Sequence, residues 1–151
     1  RQNINCKAYH AALPKKQRDL IQTEWQTDVI PLIICTIAFG MGIDKPDVRY
    51  VIHESIGTSM EGFYQESGRA GRDRNNSLSV LYYSRSDKDK KEFLMQQSHN
   101  KTSKDEAQEE IYKATKNSFG NLVKMCEKTA CRRRAILLFF DETPSFSTSE
   151  G

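Results

Sequence analysis

Short apolar runs rich in β-branched residues alternate with segments of helical periodicity through the first half of the chain. The runs Leu32–Ile37, Val48–His53 and Leu78–Tyr83 are typical of strands buried in a parallel sheet. Between them, apolar residues at helical spacing predict one helix from Pro14 to about residue 28. A second helix is predicted over Met60–Glu66, with Met60, Phe63 and Tyr64 on its buried side. This alternation predicts an α/β fold whose ligands bind at the carboxyl ends of parallel strands.

The pattern changes near residue 85, where charged segments of helical periodicity replace the strands. We expect an α/β part over residues 1–85, an all-helical part over 86–142, and a loop or disordered end over 143–151, which is rich in Ser, Thr, Pro and Gly. Within the second part, helices are predicted over about 87–95, 106–116, 118–128 and 130–140, with a polar break over 98–105.

The segment from Gln65 to Asp73 carries the clearest chemical signal. Arg69 and Arg72 lie three positions apart, and a glycine precedes each of them. Arginine presents a permanently charged planar fork that matches phosphate oxygens, and glycine allows the backbone to approach a ligand closely. The segment therefore predicts a cation pair for nucleotide phosphates, with a solvated Gly/Arg loop as the alternative.

A second glycine-containing loop follows the predicted strand that ends near Thr36. It contains Gly40, Gly42 and Asp44, so that backbone amides and short polar side chains lie just beyond a strand end. Such a loop can contact a phosphate or a ribose. Gly-x-Gly alone is a weak signal, and it gains weight beside a two-arginine loop.

Composition and the remaining motifs narrow the alternatives. The 23 Lys and Arg residues against 20 Asp and Glu residues give a net charge of +3, too small to establish a polyanionic partner. No apolar run approaches the ~20 residues of a membrane span, so we expect a soluble, intracellular chain without a membrane partner. Cys126 and Cys131 alone cannot complete a tetrahedral zinc site. The run Ile136–Glu142 has the letters of a metal-binding strand, but the chain has no Gly-Lys pair and a helix is favoured there.

The two long motifs resemble those of the RecQ family of DNA helicases in helicase superfamily two. The segment from Thr36 to Pro46 is similar to motif V, and that from Phe63 to Asp73 is similar to motif VI. Cys131-Arg132-Arg133 resembles the start of the RecQ zinc-binding subdomain, and Tyr82–Asp87 is nearest to the fifth eukaryotic RecQ branch. The fold implied is part of a RecA-like parallel-sheet motor lobe followed by the all-helical start of a zinc-binding subdomain.

The resemblance also implies roles for individual residues. Arg69 and Arg72 would reach the γ-phosphate of ATP, with Arg72 as the finger, and Gln65 would couple nucleotide state to lobe closure. Asp44 would meet the ribose, with Gly40 and Gly42 allowing the close approach. Thr36 would contact a DNA phosphate, and Cys131 would be the first zinc ligand, the other ligands lying beyond Gly151.

The implied parent is a nuclear ATP-dependent DNA helicase of three-prime to five-prime polarity that acts on single-stranded and forked DNA. ATP and Mg²⁺ would be held with an upstream helicase lobe, and Zn²⁺ by a site incomplete in this chain. Two alternatives stay open, a non-catalytic DNA- or protein-binding scaffold and an RNA helicase of the same superfamily. The sequence departs from the family pattern at Gly57, Arg74 and Asp141. We expect the isolated chain to be marginally stable and not to hydrolyse ATP, and the sequence does not identify its protein partners.

Overall fold

A computed structural model describes residues 4–40, 44–101 and 105–143. The chain divides into two compact units, Arg1–Pro46 and Asp47–Gly151. Parallel strands and helices make it a mixed α/β chain, as predicted. Within the described residues the strands pair in two two-stranded sheets, whereas the sequence suggested one sheet. The boundary predicted near residue 85 separates an α/β part from a helical part, whereas the compact units divide after Pro46. The boundary near residue 85 therefore stays a prediction.

The first unit consists of β1 (Cys6–Tyr9), α1 (Lys15–Gln26) and β2 (Leu32–Cys35). The strands are parallel, with Cys6 opposite Leu32 and Tyr9 opposite Cys35. The helix confirms the predicted segment and begins directly after Pro14, whose fixed φ suits a helix start. The buried cluster that joins helix and strands consists of Tyr9, Ile21, Ile30 and Phe39.

The strand over Leu32–Ile37 was predicted to be buried, but in the described chain most of β2 is exposed. In β2, Ile33 packs against the core while the next residue, Ile34, is 61% exposed. In the second unit Tyr50 and Ile52 of one strand are likewise exposed. Side chains of a strand alternate between its two faces, so in β2 the face that carries Ile33 packs against the cluster of its unit and the face that carries Ile34 does not.

The second unit contains β3 (Tyr50–His53), α2 (Met60–Ser67), β4 (Leu78–Leu81), α3 (Arg85–Lys101), α4 (Glu106–Glu127) and α5 (Arg132–Phe139). β3 and β4 are parallel, with Tyr50 opposite Leu78. The two strands and the helix between them match the predicted segments, although each strand is shorter than its apolar run. Parallel strands joined through a helix form the β-α-β unit that the alternating pattern predicts.

The core of this unit joins α2 to the long helix α4. Its buried members are Ile56, Met60, Phe119, Leu122, Val123 and Met125. Phe63 packs against this cluster, as predicted for the inner face of α2. Tyr64 was expected on that face but is 52% exposed, and its ring centroid lies 5.0 Å from that of Phe140.

The helical part differs from prediction in how it is divided. A break near Asn117 was expected, but α4 runs without interruption from Glu106 to Glu127. Four apolar residues following that position are buried, and this burial outweighs the weak helix propensity of a single asparagine. α3 also extends to Lys101, into the predicted polar break. α5 confirms that the run near Ile136 is helical and not a metal-binding strand.

Candidate nucleotide-binding turn

The helix α2 presents the predicted motif at its carboxyl end. It begins at Met60 because the Ser59 hydroxyl accepts a hydrogen bond from the Gly62 amide at 3.1 Å, a standard N-cap contact. It ends at Ser67 with Gly68 as its C-cap, and a series of turns then carries the chain to Asn76. Gln65 lies exposed in the last helical turn. Arg69 and Arg72 both lie in the following turns, Arg69 partly buried and Arg72 exposed.

The two glycines of the motif have different structural roles. Gly71, between the arginines, has φ +67°, a left-handed conformation that favours glycine. A Cβ atom there would lie 2.3 Å from the Ser77 hydroxyl and 3.0 Å from the Asn75 carbonyl, so a side chain is excluded on two grounds. Gly68 has φ −67°, an ordinary right-handed value, so its conformation does not demand glycine. The sequence expectation of special backbone freedom therefore applies to Gly71.

The turn that contains Arg72 is held by an ion pair that the sequence analysis missed. Both terminal oxygens of Asp73 lie 2.7 Å from Nη2 of Arg49, the residue that precedes β3. The same guanidinium donates to the Asn76 carbonyl at 3.0 Å and to the Asp47 carbonyl at 2.9 Å. The Arg49 side chain thus joins the start of β3 to Asp73 and Asn76 of the turn, and these contacts limit the positions available to Arg72.

The charge of Asp73 is stabilised by these contacts. Hydrogen bonds from Arg49 and then from Asn75 lower the pKa of the Asp73 carboxyl to about 2. The Asn75 amide lies 3.1 Å from Oδ1 and its side-chain nitrogen lies 3.0 Å from Oδ2. The carboxylate is therefore charged at neutral pH, and its contacts with Arg49 and Asn75 stabilise the turn.

The Thr36–Gly40 loop lies in the other compact unit. The Thr36 hydroxyl accepts from the Ala38 amide at 3.4 Å, and its carbonyl accepts from the Phe39 amide at 3.0 Å. The Phe39 ring lies 4.7 Å from the Tyr9 ring in the core, and this contact anchors the loop. Asp44 is exposed, and Gly42 lies outside the described residues. That this loop and the arginine turn face one ligand stays a prediction.

The two cysteines of the helical part lie at the junction of α4 and α5. Cys131 is exposed and is the N-cap residue of α5, without a side-chain capping bond. Cys126 is partly buried, and burial raises the pKa of its thiol. Within the described ranges no three His, Cys, Asp or Glu side chains are grouped to hold a metal ion. These residues do not fit a complete zinc site, and the role predicted for Cys131 stays a prediction.

Two family comparisons cover most of the chain. The family model for the helicase conserved C-terminal domain matches residues 1–74. The family model described as RecQ zinc-binding matches residues 85–148. The chain belongs to the RecQ helicase family.

Relatives of this RecQ chain include the proteins named ATP-dependent DNA helicase Q5 in Rattus norvegicus and in Mus musculus. Each is 45% identical to it over 93% of the chain, which spans 14% of the relative's length. The protein named ATP-dependent helicase SGS1 of Saccharomyces cerevisiae is 39% identical over 94% of the chain, which spans 10% of that relative. The identity to the two Q5 proteins is higher than that to SGS1, which agrees with the fifth eukaryotic RecQ branch indicated by the residues Tyr82–Asp87.

A chain in a solved structure of Saccharomyces cerevisiae Dbp5 bound to Gle1 and IP6 shares the fold. Its TM-score to the RecQ chain is 0.50 at 15% identity, covering 78% of this chain and 33% of the other. The likeness supports the RecA-like fold predicted from the motifs. None of the helices in the described part is both long and apolar enough to cross a bilayer.

The family departure at Arg74 has a defined structural consequence. Arg74 has φ +64°, in the left-handed region where the RecQ pattern has glycine. Its amide donates to the Gly71 carbonyl at 2.9 Å, which closes the turn. The conformation thus suits glycine while the residue is arginine, which strains the backbone beside Arg72 and Asp73.

Proposed function

We propose that this chain is the carboxyl-side part of the second motor lobe, with the start of the zinc-binding subdomain, of an ATP-dependent DNA helicase of three-prime to five-prime polarity. Family membership supports the helicase assignment. The observation that carries the proposal is the turn after α2, in which Gly71 and the Arg49–Asp73 ion pair hold two arginines at the end of one helix. A solvated loop does not require such support.

In this function Arg69 and Arg72 bind the γ-phosphate of ATP that an upstream lobe holds with Mg²⁺. Their positive charge stabilises the charge that develops on the phosphoryl group during transfer, and Arg72 is the finger. The exposure of Arg72 supports this role, because the residue must reach a ligand held by another lobe. Gln65 is exposed four residues before Arg69, and it couples the presence of the γ-phosphate to closure of the two lobes.

The Thr36–Asp44 segment supplies the remaining contacts. Asp44 binds the ribose, Gly40 and Gly42 let the backbone approach it, and Thr36 binds a DNA phosphate. The exposed Thr36 side chain at the carboxyl end of β2 supports this assignment, because ligands of α/β sheets bind at that edge. ATP binding closes the lobes and hydrolysis reopens them, which moves the parent protein along single-stranded or forked DNA.

Cys131 is proposed as the first thiolate of a zinc site, and a nuclear location is inferred from the proposed DNA substrate. Binding to single strands is directed mostly at phosphates and therefore weakens as salt increases.

The test is ATP hydrolysis by the full-length protein that contains this sequence, measured with and without single-stranded DNA. We expect DNA to stimulate turnover and Arg72→Ala to lower kcat by about 10³-fold or more, with binding of a fluorescent ATP analogue retained. Arg74→Gly is the matched control, because it removes an arginine from the same turn and relieves a left-handed residue. It should leave kcat within about twofold of the native value.

Each other result has a distinct meaning. Absence of DNA-stimulated turnover in the native protein would refute the motor and favour a scaffold. Equal or greater stimulation by RNA would favour an RNA helicase. Turnover that is indifferent to Arg72→Ala but lost in Arg69→Ala would transfer the finger to Arg69.

A further inference from the structure

A nearly buried histidine lies beneath the carboxyl end of α2. His53 is the last residue of β3, and only 9% of its side chain is exposed. Its Nδ1 lies 3.1 Å from Oε2 of Glu66, and its Nε2 lies 3.3 Å from the Ser67 hydroxyl and 3.5 Å from the Ser79 hydroxyl. The two hydroxyls are 2.9 Å apart. Both ring nitrogens are therefore engaged, and three elements meet at one imidazole.

The hydrogen-bonding capacity of these groups fixes one direction of the network. A carboxylate can only accept, so the Nδ1 hydrogen of His53 points to Glu66. Ser67 can donate to Nε2 of a neutral ring or accept from a charged one. The Phe63 ring, with its centroid 5.1 Å from that of His53, covers a further side of the imidazole. These contacts restrict rotation of the ring in either protonation state.

The two residues that His53 contacts in α2 also bind the backbone of Arg69 and of the residue that follows it. The Glu66 carbonyl accepts from the Arg69 amide at 3.2 Å, and the Ser67 carbonyl accepts from the Ala70 amide at 3.1 Å. His53 binds the side chains of Glu66 and Ser67, while their carbonyls bind the backbone of the turn. The imidazole thus binds Glu66 directly, and the carbonyl of Glu66 binds the amide of Arg69.

We propose that His53 is the positioning residue for Arg69. It holds Glu66 through Nδ1 and the Ser67 and Ser79 hydroxyls through Nε2, which fixes the point where the chain leaves α2. Arg49 does the same for Arg72 through Asp73. Each arginine then has its own support. The functional part of this inference rests on the proposed phosphate-binding role of the arginines, while its structural part can be tested without that role.

The experiment compares His53→Leu and His53→Asn in the full-length protein. Leucine removes both polar contacts, whereas the asparagine side-chain nitrogen can replace Nδ1 and still donate to Glu66. His99→Leu is the matched control, because His99 also contacts a glutamate, Glu109 at 3.2 Å, but lies in the helical part and stacks on Tyr112. Circular dichroism checks the fold of each variant.

The first readout is amide hydrogen exchange of the segment that contains the Arg69 and Ala70 amides. We expect exchange to increase by about three- to tenfold in His53→Leu, less in His53→Asn, and not at all in His99→Leu. Unchanged exchange in His53→Leu would overturn the proposal whatever the activity of the protein. If His53→Leu does not fold, His53→Asn provides the test. Exchange at the native level in His53→Asn would support the role of the Nδ1 contact, and exchange at an unprotected level would overturn it.

The second readout is the kinetics of DNA-stimulated ATP hydrolysis. We expect His53→Leu to lower kcat by about 10- to 100-fold with KM for ATP changed by less than about twofold, because the arginine acts mainly in the transition state. His53→Asn should recover most of kcat. A native kcat in His53→Leu despite faster exchange, or no recovery in His53→Asn, would overturn the positioning role. Absence of activity in the native protein would instead refute the proposed function and leave the exchange result to decide the structural claim.

Discussion

A single hydroxyl joins the start of α2 to the middle of α4. Ser118 is only 5% exposed, and its Oγ accepts from the Met60 amide at 2.9 Å. The same hydroxyl donates to the Glu61 carboxylate. The Met60 amide is among the first amides of a helix, which have no partner within the helix itself. Ser118→Ala removes both contacts without changing the helix propensity of α4 unfavourably.

The expected cost follows from what each partner does afterwards. Glu61 is exposed, so its carboxylate regains water and adds little. Met60 is 1% exposed, so its amide stays buried without an acceptor. Leaving one buried donor unsatisfied costs about 1–3 kcal/mol. The free energy of unfolding should fall by that amount, and the melting temperature by about 2–4 °C for each kcal/mol.

The assay is urea unfolding of the chain followed by far-ultraviolet circular dichroism, because four of the five helices in the described residues, α2 to α5, lie in the affected unit. The single tryptophan, Trp25, lies in the other unit and reports a different region. Thr115→Ala is the control, because the Thr115 hydroxyl binds only the Ile111 carbonyl of its own helix at 2.8 Å. It should change stability by less than about 0.5 kcal/mol. Equal effects of the two substitutions would refute the reasoning.

Two further predictions concern the arginine turn. Arg74→Gly should raise the free energy of unfolding by about 0.5–1 kcal/mol, because the left-handed φ of +64° costs about 1–2 kcal/mol for arginine and the more flexible unfolded glycine chain offsets part of this; a lower urea midpoint would contradict it. Because Arg49 and then Asn75 hold the pKa of Asp73 at about 2 in the fold against 3.8 for the free group, the stabilisation is present above about pH 4 and is lost as pH falls through about 2. Asp73→Asn should therefore be less stable than native at pH 5 and equal to it near pH 2 in urea titrations, and a difference independent of pH would refute the assignment.

The fold was predictable where local patterns are strong. Apolar periodicity and capping residues located α1, α2, β2, β3 and β4, because each of these elements has its own pattern of buried side chains. β1 was missed because Cys6–Tyr9 lacks an apolar run and forms a strand only by pairing with β2. The uninterrupted α4 was missed for the converse reason. Its continuity across Asn117 depends on burial against α2, and this tertiary contact cannot be predicted from the neighbouring residues in the sequence.

The same division applies to the candidate site. The spacing of Arg69 and Arg72 is contained in a single short segment and was read directly from it. The residues that hold α2 and the arginine turn in place lie in distant parts of the sequence. Arg49 binds Asp73 across 24 positions of sequence, and Ser118 binds the Met60 amide across 58. Nothing in the local residue types distinguishes these two supports from an ordinary surface arginine or helix serine, so only the folded arrangement reveals them.

These supports give α2 a defined mechanical role. The helix has eight residues, so it is about 12 Å long and too short to bend appreciably. Ser118 of α4 holds its first amide, and His53 of β3 holds its last two residues. A displacement of α4 therefore acts on the start of a rigid element whose other end bears the arginine turn. While the Ser118 contact holds, such a displacement carries α2 with it and strains the His53 contacts, which links the helical part of the chain to the position of Arg69. If the Ser118 contact breaks, this link is lost.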